Sequence, residues 1–221
     1  MPPNVIAIDG PSGSGKSSVS KGVAQILGYD YLDTGAMYRA VTWWALDQGL
    51  AEVDVPARLE QCVIVSRTDP TDPQISVNGV DVSEAIRTPE VTAAVSRYSA
   101  VPEVRAALVA QQRQVAEHTS QGLVAEGRDL GTVVFPDALL KVYLTADVAA
   151  RAQRRAAENA ERGHDADVST THQSLAERDR ADSQRAVSPL QIADDAVEVD
   201  ATYMTLAEVI DHVAALVKER L

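Results

Sequence analysis

A single cysteine, Cys62, stands among the 221 residues. No disulfide can therefore form within the chain, and no zinc site can be built on cysteines. Histidine is nearly as scarce; His164 and His172 lie close in sequence but have no third histidine or cysteine beside them, which argues against a metal pair. Lysine is limited to Lys16, Lys21, Lys141 and Lys218, and 20 basic residues face 32 acidic ones, giving a formal net charge of -12 and a pI near 4.7. Such a chain repels a polyanionic backbone, so nucleic-acid binding is not expected, and any phosphate site must be a local island of arginine. No apolar stretch approaches the roughly 18 residues needed to span a bilayer, and the opening MPPNVIAIDG lacks a basic leader. The expectation is a cytoplasmic protein of a reducing compartment, without a membrane partner.

What is present has an alternating rhythm. Short apolar runs at residues 5–8, 28–32, 123–125, 139–144 and 196–199 are separated mostly by helix-like stretches. That alternation predicts an α/β fold with a parallel five-stranded sheet and helices on both faces. Residues 62–83 break it with three short β-prone runs, a Pro-rich turn and Asn78-Gly79, a pair suited to the positive φ angles of a two-residue hairpin. They read as a small antiparallel β insertion. Residues 150–185 are rich in charge and alanine, broken at Gly163, with Ser169 and Thr170 as candidate N-caps; two helices around a connection, a helical lid, are expected. The end, TLAEVIDHVAALVKERL, has the spacing of a core-packing helix.

The run Gly10-Pro11-Ser12-Gly13-Ser14-Gly15-Lys16-Ser17 matches G-x-x-x-x-G-K-[ST] and sits between a strand and a helical run starting near Lys16. Glycines let such a loop curl until its backbone N–H groups face phosphate oxygens, and the following helix favours the anion. Lys16 is expected to reach the β and γ phosphates, and Ser17 or Ser18 to place a hydroxyl on Mg²⁺, with Ser17 preferred. No lysine follows an asparagine, so the guanine reader of a GTPase is missing, and no transporter ATPase signature is present. Small-molecule kinases remain.

Transfer between phosphates needs cations around both reacting groups. Four arginine-bearing segments are informative: LDTGAMYR (32–39), VPEVR (101–105), AEGRDLGTVVFPDA (125–138) and ERDRADSQR (177–185). With the loop GPSGSGKSS, these segments resemble bacterial cytidylate kinases in order and spacing nearly end to end. The resemblance implies a P-loop kinase fold with a core of residues 1–60 and 99–221, a lid at about 151–170, and an inserted acceptor-nucleotide domain at 61–98. It implies ATP and CMP or dCMP as partners, Mg²⁺ as cofactor, and a monomer. Thr34, Arg39 and Arg128 would meet the acceptor phosphate or ribose; a planar guanidinium can hold two oxygens at once. Asp129 would accept from the cytosine amine, with Ser96 and Arg105 on the other side of the base. Arg178, Asp182 and Arg185, spaced as one helix face, would serve the transferring phosphate, the ribose, and the sugar and base. Lys16, Arg128, Arg178 and Arg185 are the expected catalytic cations; Arg151, Arg154 and Arg155 are candidates to cover the donor phosphates, Arg154 foremost. Glu126, where many relatives have aspartate, and Asp33 would stand at the Mg²⁺. A kinase for a non-nucleotide acceptor and a non-catalytic nucleotide sensor are the competing readings.

Overall fold

A computed structural model describes residues 4–161, 167–185 and 187–221. Gly163 and His164 lie outside them. β1 (Asn4–Asp9), β2 (Asp30–Asp33), β6 (Gly122–Gly127), β7 (Leu140–Thr145) and β8 (Val197–Asp200) form one parallel sheet in the order β2-β6-β1-β7-β8. Central β1 and β6 are buried along both faces, as their unbroken apolar runs require. Gly28, placed by sequence in the second strand, instead ends helix α1 (Lys16–Leu27) at φ 66°, and β2 starts two residues later.

Helices close both faces. α1 and α7 (Leu206–Lys218) pack together on one, where Ile210 lies over Gly22 so closely that a Cβ there would come within 2.4 Å of it. On the other lie α2 (Thr34–Asp47) and α4 (Pro102–His118). The insertion is β3 (Ile64–Arg67), β4 (Gln74–Val77) and β5 (Val80–Asp81), an antiparallel sheet turned at Asn78 (φ 51°) and Gly79 (φ 80°), followed by α3 (Pro89–Tyr98). Its inner residues Ile64, Ile75 and Val77 share one buried apolar cluster with Met37, Val41 and Trp44 of α2. That shared core holds the insertion against α2 and α4, and Arg87 pairs with Asp33 at the C-terminal end of β2.

Two packed helices, α5 (Val148–Glu161) and α6 (Val168–Ser183), follow β7. The N-cap of α6 is Asp167, whose carboxylate accepts the Thr170 N–H at 2.6 Å, and not Ser169 or Thr170, which sit in the first turn. No described helix is long and apolar enough to cross a membrane.

Candidate active site

The loop after β1 wraps into a cradle before α1. Gly10 has φ 151°, and a Cβ on it would lie 2.1 Å from the Leu144 carbonyl oxygen, so only glycine fits there. Gly15 caps α1 from the left-handed region, at φ 93°. Lys16 donates to the Pro11 carbonyl at 2.8 Å, lying back along its own loop. Burial and the nearby Arg128 push its ammonium down to about 7, against the opposing pull of Glu126 and Asp9.

A cavity of about 160 Å³ opens beside the cradle. Lys16, Ser17, Thr34, Arg39, Ser96, Arg105, Arg128, Asp129, Arg178, Asp182 and Arg185 all line it, although they come from six regions of the chain. Arg39 is buried and donates to the Ile86 carbonyl at 3.1 Å and to Thr92 Oγ1 at 2.9 Å. Arg178 is lowered to about 10, by burial first and then by repulsion from Arg128. Buried Nε atoms of Arg105, Arg178 and Arg185, and Nη2 of Arg185, have no hydrogen-bond partner among the described residues. Guanidiniums crowded in this way are stabilised by an anion entering among them.

Asp182 pairs with Arg128 at 3.3 Å. Arg185 reaches the cavity from beyond the helix, since α6 ends at Ser183, so the three residues do not form one helical face as their spacing predicts. Arg154 is turned away: its Nη2 donates to the Ala201 carbonyl at 2.6 Å, while Arg155 lines the cavity. Arg151 lies across the loop, donating to the Ser12 carbonyl at 2.9 Å and to Asp179 at 2.5 Å, and Asp179 in turn accepts the Ser12 N–H at 3.1 Å.

Glu126 ends buried between Tyr31 and Ser17, which both donate to it, with Asp33 near enough to raise it further; desolvation is the larger cause of its rise to about 7. Asp33 caps α2 through the Ala36 N–H at 2.8 Å and pairs with Arg87 at 3.3 Å. Among the described residues no group of three or more His, Cys, Asp or Glu side chains could hold a metal by itself. One or two hard oxygen ligands beside a phosphate cradle suit Mg²⁺, which takes its remaining ligands from substrate and water. The residues present fit that ion.

Sequence reasoning missed Arg87, Asp9, Tyr31 and Asp179. Arg87 lies in the insertion with no motif around it, and Asp9 differs from other strand-end acids only in preceding the glycine loop.

A phosphate cradle with its lysine, facing a buried crowd of guanidiniums, defines a P-loop phosphotransferase. The cytidylate kinase family profile matches residues 6–219. A cytidylate kinase of Streptomyces avermitilis is 52% identical over 223 residues, covering 100% of this chain and 95% of the relative. One from Streptococcus thermophilus is 45% identical, covering 97% and 96%. A bifunctional pantoate ligase/cytidylate kinase of Synechococcus is 50% identical over 220 residues, which are 97% of this chain and 43% of that longer protein. The chain belongs to the cytidylate kinase family.

Proposed function

We propose that the chain transfers the γ-phosphoryl group of ATP to CMP or dCMP, giving ADP and CDP or dCDP. The observation that carries this reading is the convergence of Arg39, Arg128, Arg178 and Arg185 on one cavity that also holds the buried Arg105–Asp129 pair. Cations that repel each other ask for a phosphate, and a fixed carboxylate asks for an amine.

ATP would lie in the loop from Gly10 to Ser18, its phosphates taking the backbone N–H groups as Lys16 leaves the Pro11 carbonyl for the β and γ oxygens. Arg39 and Arg128, with Thr34, would hold the CMP phosphate. Asp129 would accept from the cytosine N4 amine, where uracil has an acceptor; Ser96 and Arg105 would donate on the O2 and N3 side. Asp182 and Arg185 would orient the sugar. An acceptor phosphate oxygen is already ionised at neutral pH, so in-line attack on the γ-phosphorus needs no dedicated base. Arg178 would meet the charge that spreads over the transferring oxygens. Mg²⁺, when bound, neutralises charge on the donor oxygens. Ser17 and Glu126 would hold it, with Asp33 on a bound water. Closure of α5 and α6, carrying Arg151 and Arg155 over the donor phosphates, against residues 61–98 acting as an acceptor domain, would exclude water and limit ATP hydrolysis. The acidic charge and single cysteine favour a cytoplasmic protein acting on small molecules, and the family resemblance suggests a monomer.

A coupled ADP-release assay over CMP, dCMP, UMP, AMP and shikimate tests the reading. Fastest turnover with CMP or dCMP is expected. Shikimate as the preferred acceptor would replace it with a small-molecule kinase, and ATP-induced thermal protection without any turnover would replace it with a sensor.

A further inference from the structure

Asp9 takes no part in the chemistry above. It is the last residue of β1, 6% exposed, and immediately precedes the glycine loop. Its carboxylate reaches across the sheet: Oδ1 accepts the Leu130 N–H at 2.9 Å and Oδ2 the Gly131 N–H at 2.8 Å. Those two amides directly follow Arg128 and Asp129, the side chains facing the acceptor. In the other direction, Arg128 Nη1 donates to the Gly10 carbonyl at 3.0 Å.

Three hydrogen bonds thus fasten the start of the donor loop to the acceptor-facing turn, beyond the point where the β1–β6 ladder ends at Asp9 and Gly127. The turn is a wide one: the Val133 and Val134 N–H groups go to the Asp129 carbonyl at 2.9 and 3.3 Å, and the Phe135 N–H to the Leu130 carbonyl at 2.7 Å. Like the first amides of a helix, those of Leu130 and Gly131 need acceptors from outside the turn, and Asp9 supplies them as a cap from another element. A carboxylate suits the place because its two oxygens meet two adjacent N–H groups at once. An amide would offer one acceptor and point its NH₂ at the second N–H. The other charges that act on Asp9 are Asp129 and Lys16, one from each side of the junction it bridges.

We infer that Asp9 is a positioning residue that fixes Arg128 and Asp129, and so the acceptor nucleotide, relative to the donor cradle. Its cost to the fold is visible in the carboxyl, which burial raises to about 6. The inference rests on the proposed acceptor for its readout only.

The test is Asp9→Asn, with CMP and ATP affinities measured separately by calorimetry and the CMP/UMP ratio of kcat/KM measured alongside. Loss of one charged hydrogen bond predicts a CMP Kd weakened about tenfold, an ATP Kd within about threefold of wild type, and a reduced CMP/UMP ratio. No change in either affinity, or equal weakening of both, would overturn the assignment. If the variant does not fold, amide exchange of the wild type decides instead: Leu130 and Gly131 slowed about a hundredfold or more support it, and exchange at the unprotected rate rejects it. Wild type that turns over a different acceptor would refute the proposed function, and the same comparison made with that acceptor would still judge Asp9.

Discussion

The Arg105 guanidinium and the Asp129 carboxylate form an ion pair with side chains only 3% and 7% exposed. Arg105 also lies over the Tyr38 ring, 5.2 Å from its centre, and donates to the Ser99 carbonyl at 3.2 Å. Desolvated partners held from both sides cannot swing to suit a different base. An acceptor fixed in this way tells an amine from a carbonyl oxygen, because the mismatched base leaves a buried polar group unsatisfied.

Asp129→Asn should therefore lower kcat/KM for CMP by about 10² while reducing that for UMP less, narrowing the ratio between them. The same change leaves Arg105 buried without its counter-ion, so a loss of about 3 kcal/mol of stability is expected as well. Steady-state kinetics with both nucleotides, run below the variant's melting temperature, separate the two effects. An unchanged CMP/UMP ratio would remove Asp129 from base reading.

Far from the cavity, Thr205 opens α7 with a reciprocal cap: its Oγ1 accepts the Glu208 N–H at 3.3 Å, and the Glu208 carboxylate accepts the Thr205 N–H at 2.8 Å. Thr205→Ala should cost about 1 kcal/mol in urea unfolding and leave kcat and both KM values unchanged. A change in KM would mean that α7 communicates with the site.

The donor loop was legible because its chemistry needs glycines, a lysine and a hydroxyl in one contiguous run, and the Asn78-Gly79 hairpin because two adjacent residues determine it. Arg39, Arg128 and Asp129 became legible through resemblance, each lying inside a specific segment. Asp9 was not, since its partners at Leu130 and Gly131 are more than 120 residues away and only the parallel pairing of β1 with β6 brings them together. Arg154 and Arg155 show a second limit. Consecutive helical residues point about 100° apart, and with Ala152 and Ala156 on the buried face Arg155 lines the cavity while Arg154 goes to Ala201, a choice that two adjacent arginines in an alanine-rich run do not reveal. The α6 cap shows a third: several capping residues stand in Asp-Val-Ser-Thr, and the one chosen is that with extended backbone, Asp167 at φ -61° and ψ 119°.

In the proposed reaction Lys16 carries the donor side. Lys16→Met keeps the length of the side chain and removes the ammonium, so the fold should persist while kcat falls by about 10³. Turnover of ATP and CMP, with circular dichroism as the control for folding, measures this. Retained activity would show that the cradle's backbone N–H groups and the arginines suffice without it.

The depressed pKa of Lys16 also predicts a proton balance on binding. In the nucleotide-free enzyme its ammonium titrates at about 7, so at pH 8 most molecules carry a neutral Lys16. A triphosphate placed against it favours the charged form and raises that pKa toward its usual value of 10.5. Binding should then take up a proton, close to one per ATP at pH 8 and falling toward zero at pH 6, where Lys16 is already charged. Calorimetric titration of ATP without metal, in buffers of different ionisation enthalpy, reads this uptake directly from the slope of the apparent heat. Glu126, raised to about 7 by desolvation, would be raised further by the same anion, so any uptake of its own also lies above pH 7 and is told from that of Lys16 by substitution and not by pH. Lys16→Met should abolish the uptake at pH 8. Proton release at that pH, or uptake that survives the substitution, would show that another group titrates with the nucleotide.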